Sequence, residues 1–485
     1  MEIHINSPIA VIGAGTMGAG IAQVAATAGH MVTVIDRDEA ALAQGRSVVA
    51  TVLASSVAKG RLDDRARSDI EARIRWSTDP SQVAHACLVV EAIVERLDAK
   101  HHLLGAIERV VGRDALIASN TSSLGIGDIA AVLTRPERFL GLHFFNPVPS
   151  MKLVEIVAGP ATGPMAVDAV SALMRIWGKR PVVVREVPGF IVNRVARPYY
   201  AEGFAALGEG IAPAAIDAAL TGAAGFRMGP LALGDMIGHD VNFAVATSVY
   251  EAYRGKTRFR PQESQRSLVE AGRFGRKTRH GVYDYNQPLP VPDCLRGGSA
   301  PASITVSQID LLAPLVADAR SHGITVVEDS RLGPDALSVD GSLMALGDGR
   351  PLASRCDIDV LIDHARDFSS ATHCVISARS AEHADRATGF LRALGREALQ
   401  VPDRPGQIVL RTLAQLANAA ADAVRDEVAT ASGIDEAMIF GANHPEGPLG
   451  WAGRIGDDRV RASLSNIAAA SGDPIYAPSP MFGVP

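Results

Sequence analysis

The sequence predicts an α/β domain with a doubly wound parallel sheet, then an all-α helical domain that is repeated near the C-terminus after a small α/β segment. Three observations carry this reading. Short apolar runs alternate with helical stretches from Ile9 to Val184, the order of a parallel sheet with crossover helices. From Phe190 to Arg273 the periodicity is helical throughout. The segment around Pro188 recurs around Pro405, with the same spacing back to Gly178 and to Gly395.

The first strand, Ile9–Ile12, runs into Gly13-Ala14-Gly15-Thr16-Met17-Gly18, and a helix of small and apolar residues follows. Gly13 permits a tight turn, Gly15 lets the backbone approach a pyrophosphate, and Gly18 lets helix and strand pack closely. The helix amino terminus then offers unpaired N–H groups to phosphates. A second strand, Met31–Ile35, ends at Asp36, about 20 residues beyond the glycines, where a carboxylate can hold both ribose hydroxyls of an adenosine. It would repel a 2′-phosphate, so the expected cofactor is NAD, bound by a Rossmann-type domain.

Glu39–Arg75 reads as a helical hairpin broken at Lys59-Gly60 and locally basic at Lys59, Arg61, Arg65, Arg67, Arg73 and Arg75. It is either a solvated surface or a landing place for a phosphorylated handle on the substrate. Cys87–Ile93 is a strand, and Glu95 and Lys100 flank the start of the helix after it. Two further apolar runs, Ala115–Ala118 and Phe139–Leu142, end in Ser119-Asn-Thr-Ser-Ser-Leu124 and His143-Phe-Phe-Asn-Pro147. Buried parallel strands deliver side chains to a crevice at their carboxyl ends in this way, here Ser122 and His143. Glu155 sits on the next run, Met151–Val157, and can orient the imidazole.

Pro188-Gly189 opens the helical domain, and Asn193 falls in the first turn of its first helix. The residues from Tyr285 to about Ala302 are rich in proline and glycine, and the α/β segment after them has no glycine fingerprint. The tail matches Pro188-Gly-Phe-Ile-Val-Asn-Arg194 with Pro405-Gly-Gln-Ile-Val-Leu-Arg411, so Leu410 replaces Asn193 and the second copy is expected to be structural. The expected boundaries are residues 1–186 for the dinucleotide domain, 187–285 for the first helical domain, 286–302 for a linker, 303–402 for the small α/β segment and 403–485 for the second helical copy.

A chain of 485 residues with 47% apolar and 21% charged residues is globular in composition. The net charge of −6 without a basic block argues against nucleic acid. No basic leader, no long uninterrupted apolar run and four scattered cysteines point to a cytoplasmic protein with neither a membrane span nor a metal site.

The glycine loop, Ser119–Leu124, Leu142-His-Phe-Phe-Asn-Pro147 and Pro188–Arg194 together resemble the 3-hydroxyacyl-CoA dehydrogenases over roughly residues 5–285. The doubled helical domain resembles their long bacterial form, which includes 3-hydroxyadipyl-CoA and 3-hydroxybutyryl-CoA dehydrogenases of fatty-acid and phenylacetate breakdown. The resemblance implies NAD-dependent oxidation of an acyl-CoA thioester by a catalytic set at Ser122, His143, Glu155 and Asn193. It implies cofactor contacts at the glycine loop, Asp36, Glu95, Lys100, Ser122, Asn146 and Lys277. Lys59 is the one counterpart of the coenzyme A contacts. Single-copy relatives pair through the helical domain, so the chain is expected either to form a homo-oligomer or to fill that interface with its own second copy.

The residues suit this chemistry. Oxidising a secondary alcohol needs a base, and a free imidazole titrates at ~6.5, near cellular pH. A carboxylate on its other nitrogen fixes the tautomer, while Ser122 and Asn193 can hydrogen-bond the substrate oxygens. Arg194 and Arg197 can meet a terminal carboxylate or pair with Glu186 or Glu202. Two other readings stand beside this one. A dehydrogenase of free 3-hydroxy acids would place a lysine where Asn193 stands. A non-catalytic NAD-binding or structural homologue would have no use for the four residues together.

Overall fold

Four-residue runs such as Ile-Ala-Val-Ile are buried on both faces, and strands of this kind are satisfied only in the middle of a layered sheet. A computed structural model describes residues 3–483 and shows where these runs pair. The strands are β1 (Ile9–Ile12), β2 (Val32–Ile35), β3 (Ile74–Ser77), β4 (Leu88–Glu91), β5 (Leu116–Ser119), β6 (Phe139–Phe144), β7 (Leu153–Ala158) and β8 (Arg180–Arg185). Their order is β3-β2-β1-β4-β5-β6-β7-β8. The strand order reverses between β1 and β4, which opens a crevice at their carboxyl ends.

Two features depart from the expected helical hairpin and all-parallel sheet. Residues 74–77 leave the helix and form the edge strand β3, where Ile74 is buried and Arg75 exposed. A four-residue alternation beside a helix is too short to announce itself. The sheet is parallel through β6, but β7 runs antiparallel to β6 and β8 follows β7. Helix Glu39–Ala58 is long and apolar enough to cross a membrane by composition, yet it carries Arg46 and buries only Leu42, Gly45, Val49 and Leu53.

The chain divides into two units, and the first is discontinuous: residues 1–194 with residues 426–442. The returning segment lies along the β8 edge. Arg185 N–H donates to the Val428 carbonyl at 2.8 Å, and the Arg180 guanidinium lies 5.6 Å from the Phe440 ring centre. A side chain on Gly441 would strike Leu153 at 2.3 Å, so helix Ala431–Gly441 presses its small face against β7.

The second unit, residues 195–425 with 443–485, has its own mixed sheet. Its strands are β9 (Ser303–Val306), β10 (Thr325–Glu328), β11 (Ala336–Val339), β12 (Ser342–Leu346), β13 (Val360–Ile362), β14 (His373–Ala378) and β15 (Glu397–Gln400), in the order β10-β9-β11-β12-β13-β14-β15. The run β12–β15 repeats the directions of β5–β8: parallel, antiparallel, parallel. The repeat therefore begins upstream of the helical domain. The proline- and glycine-rich segment before β9 is docked rather than loose, with Leu295 bridged to Ala398 and Cys294 buried.

Within this unit the first long helices of the two copies, Arg197–Gly208 and Val409–Arg425, pack against each other. Arg411 reaches Glu202 at 2.8 Å and Arg404 reaches Glu209 at 2.7 Å. Buried His444 packs between Tyr199 and Phe226, and burial pulls its pKa from 6.5 to about 3. The folded state thus binds this proton less readily than the unfolded chain, so stability is lost as pH falls below 6.5. Lowering the pH from 7 to 5 should cost about 2 kcal/mol at this residue. Urea titrations at both pH values should show His444→Leu losing that much less than the parent; equal losses would contradict it.

Candidate active site

The glycine loop is shaped by sterics. Gly13 has φ +105°, and a side chain there would meet the Ala92 carbonyl at 2.5 Å. At Gly18 it would meet the Gly13 carbonyl at 1.9 Å, whereas the space beside Gly15 is open. The helix Thr16–Thr27 has no side-chain cap, so its first N–H groups remain available. Asp36 accepts from Ala14 N–H at 2.8 Å through one carboxylate oxygen, which fixes it beside the loop. A clear approach at Gly15, open helix donors and an anchored acid fit the diphosphate and ribose of NAD.

The ends of β5 and β6 are tied together by Asn120, whose side-chain oxygen accepts from Phe144 N–H at 2.9 Å. This tie was not foreseen, though Asn120 lies inside the polar cluster. Ser122 is exposed just beyond β5. His143 is the fifth residue of β6, 6% exposed, with Phe145 and Phe190 against its ring. Its Nδ1 lies 2.7 Å from Glu155, its cross-strand neighbour on β7. In the neutral imidazole this carboxylate accepts the Nδ1 proton, which leaves the Nε2 lone pair free.

Glu155 has a second task that the sequence does not announce. Its other oxygen accepts from Ile191 and Val192 N–H, each at 3.0 Å. The carboxylate that orients His143 therefore also anchors the segment carrying Asn193. Arg194, beside it, pairs with Asp426 at 2.5 Å. Glu186 accepts instead from Gly127 N–H at 2.9 Å, and Glu202 pairs with Arg411, so neither expected arginine pairing forms.

Glu95 receives the Thr121 hydroxyl at 2.6 Å and the Ser122 and Ser123 amides at 3.0 and 3.2 Å, which shapes the turn holding Ser122. Burial opposes its charge, but the Thr121 hydroxyl, Lys100 and the Ser122 amide hold its pKa below the ordinary range. Lys100 is 1% exposed, with its ammonium 2.7 Å from Glu91 and 3.2 Å from Glu95. That placement makes it a buried support for Glu95. Lys179, also missed, donates to the Val148 and Met151 carbonyls at 2.5 and 2.8 Å and so holds the loop after Asn146. Burial brings its pKa down to about 8. Asn146 and Lys59 are exposed, and Lys277, in the second unit, pairs with Asp240 at 2.5 Å.

The second copy lacks this apparatus. Val375 pairs with Leu399 as Glu155 pairs with Val182, and Asp363 N–H donates to the Val375 carbonyl. Asp363 and Val375 thus replace His143 and Glu155, as Leu410 replaces Asn193. Asp363 accepts the Ile408, Val409 and Leu410 amides at 2.6–3.0 Å, and its burial pushes its pKa up to about 6. The backbone anchor has been kept and the imidazole lost.

Comparison with known proteins agrees with this geometry. Residues 8–187 match the 3-hydroxyacyl-CoA dehydrogenase NAD-binding domain. Residues 189–285 and 406–483 both match the C-terminal domain of the same family. The chain is 40% identical over 483 residues to 3-hydroxyadipyl-CoA dehydrogenase of Escherichia coli K12, covering 99% of this chain and 97% of that one. It is 38% identical over 280 residues to 3-hydroxybutyryl-CoA dehydrogenase of Clostridioides difficile, covering 58% of this chain and 99% of the relative. A crystal structure of 3-hydroxybutyryl-CoA dehydrogenase from Escherichia coli K12 superposes with a TM-score of 0.89 at 38% identity, over 99% of this chain and 98% of that one. The chain belongs to the 3-hydroxyacyl-CoA dehydrogenase family and is an NAD-dependent oxidoreductase with its helical domain present twice.

Proposed function

We propose that His143 is the general base in oxidation of the 3-hydroxyl group, with Ser122 and Asn193 as the substrate-binding catalytic residues and Glu155 as the residue that positions the imidazole. The observation that carries this reading is a contrast in hydrogen bonding. The Ser122 hydroxyl, His143 Nε2 and the Asn193 amide have no hydrogen-bond partner among the described residues, whereas the Glu155, Glu95 and Lys100 groups behind them are fully engaged. Polar atoms left without partners beside a saturated support are ready for a ligand.

NAD, when bound, supplies the hydride acceptor. The glycine loop and Asp36 would hold its diphosphate and ribose, and Glu95 and Asn146 would hold the nicotinamide end. His143 Nε2 takes the hydroxyl proton, and Glu155 stabilises the imidazolium that forms. Ser122 and Asn193 hold the substrate oxygens so that C3 stays in place as its hydroxyl becomes a carbonyl. Lys59, an exposed cation, would meet a coenzyme A phosphate. A role in fatty-acid or phenylacetate breakdown is part of this reading, supported by the 3-hydroxybutyryl and 3-hydroxyadipyl groups in the relatives' names.

The test is Asn193→Ala with and without Leu410→Asn, assayed by NADH absorbance with acetoacetyl-CoA. Removing one donor of this kind typically costs about 10²–10³-fold in kcat. Leu410→Asn should restore none of the loss, because the second copy has no imidazole and its Asp363 is taken up by the Ile408, Val409 and Leu410 amides. Turnover near the parent's in Asn193→Ala would overturn the assignment.

A further inference from the structure

Within the first unit, β8 and helix Ala431–Gly441 leave a cleft of about 780 Å³ between them. Four cations line it. Lys152 precedes β7, Arg175 stands in the last turn of helix Pro164–Ile176, and Lys179 and Arg180 stand at the start of β8. The one carboxylate on the same lining is that of Glu436. In a chain with a net charge of −6, such an excess of positive charge on one cleft runs against the average.

Exposed cations are ordinarily solvated and need no ligand. Two observations set these apart. Among the described residues, Lys152, Arg175 and Arg180 form no ion pair and no side-chain hydrogen bond, while the Phe440 ring, 5.6 Å from the Arg180 guanidinium, steadies that fork. Lys179 is 6% exposed, and its ammonium meets only the Val148 and Met151 carbonyls, at 2.5 and 2.8 Å. Two of its three N–H groups are used, and no carboxylate among the described residues balances its charge. A buried cation is costly until an opposite charge approaches, and an anion in the cleft would be that charge.

The lining also says what kind of anion fits. Two guanidinium forks match phosphate oxygens in bidentate pairs, and Lys152 adds a point charge. The Ser432 hydroxyl stands on the helix side. Pro181 and Val183, the latter 47% exposed, form an apolar strip on which a base can lie. Sites for small molecules span about 300–1,000 Å³, so the cleft has room for a whole nucleotide.

We propose that this cleft binds a diphosphate-bearing nucleotide, as a second anion site apart from the glycine loop. It concerns binding alone and does not rest on the catalytic roles given to His143 and Asn193. The test is calorimetric titration of the NADH-saturated protein, whose glycine loop is occupied, with ADP, inorganic pyrophosphate or coenzyme A. The same titrations are run on Arg175→Gln, Arg180→Gln and the double variant. ADP and pyrophosphate should bind the parent, more weakly as KCl is raised, and each single variant should lose about tenfold in affinity. If coenzyme A binds and loses affinity in parallel, the nucleotide is the one carried by the thioester; otherwise it is a free one. No binding of ADP or pyrophosphate to the NADH-saturated parent overturns the proposal, and so does equal affinity in the parent and the double variant. Both arginines are exposed, so the variants should keep the parent's melting temperature. Should Arg180→Gln melt lower through loss of its Phe440 contact, Arg175→Gln decides alone.

Discussion

Glu155→Ala is expected to destabilise the first unit by about 3–5 kcal/mol, because it breaks a buried pair and strips the Ile191 and Val192 amides of their acceptor at once. Glu155→Gln should separate the two tasks of this carboxylate. The glutamine oxygen can still accept from the backbone amides, so most of the stability remains. Its NH₂ group then faces His143 Nδ1 and forces the proton onto Nε2, the wrong tautomer for a base. A misplaced tautomer of this kind lowers turnover by about 10⁴-fold in a Ser-His-Asp triad, and a loss of about 10³–10⁴-fold is expected here. Urea unfolding followed by circular dichroism, with NADH-linked kinetics on the same preparations, measures both effects. Near-parental turnover in Glu155→Gln would show that the carboxylate serves the fold alone.

His143→Gln should lower kcat by about 10²–10⁴-fold, the usual contribution of a positioned acid–base group. Glutamine keeps the size and polarity of the side chain but cannot take a proton at neutral pH. NADH affinity, measured by fluorescence titration, should stay close to the parent's, because the glycine loop and Asp36 lie on other strands. If His143 were only a ring packed against Phe145 and Phe190, turnover would fall no further than the folded fraction does. Equal losses in folded fraction and kcat would therefore remove it from the chemistry.

The parts of this fold that could be read from the sequence are those where a side chain, or its absence, has one job. Gly13 and Gly18 are glycine because any Cβ would strike backbone, and the turn they make is legible as letters. The cross-strand pair His143–Glu155 could be anticipated because both residues interrupt apolar runs that otherwise have no reason to carry charge. The duplication was legible because spacing survives when identity drifts. What stayed hidden involves backbone or shared duty. The donors that Glu155 holds are main-chain amides, which no residue type marks. Lys100 reads as an available cation, yet two carboxylates engage it out of sight of solvent. Strand β3 is too brief to outweigh the helical pattern before it. Helix Ala431–Gly441 has the periodicity of any amphipathic helix, and nothing in that pattern says which sheet it covers.

The return of residues 426–442 to the first unit sets an order of events at the ribosome. By the time Arg194 is made, β1–β8 and their helices exist, but the segment that covers the β8 edge and pairs with Arg194 has not been synthesised. Some 230 further residues must follow first, which takes about 10–50 s at ordinary elongation rates. For that interval the Arg185 amide has no Val428 carbonyl to meet, and an open strand edge is the template on which chains mispair. A nascent chain of this design needs its edge shielded for the whole passage of the second unit. A chain cut after the first helical domain would lack residues 426–442 and could not cover the β8 edge with its own segment.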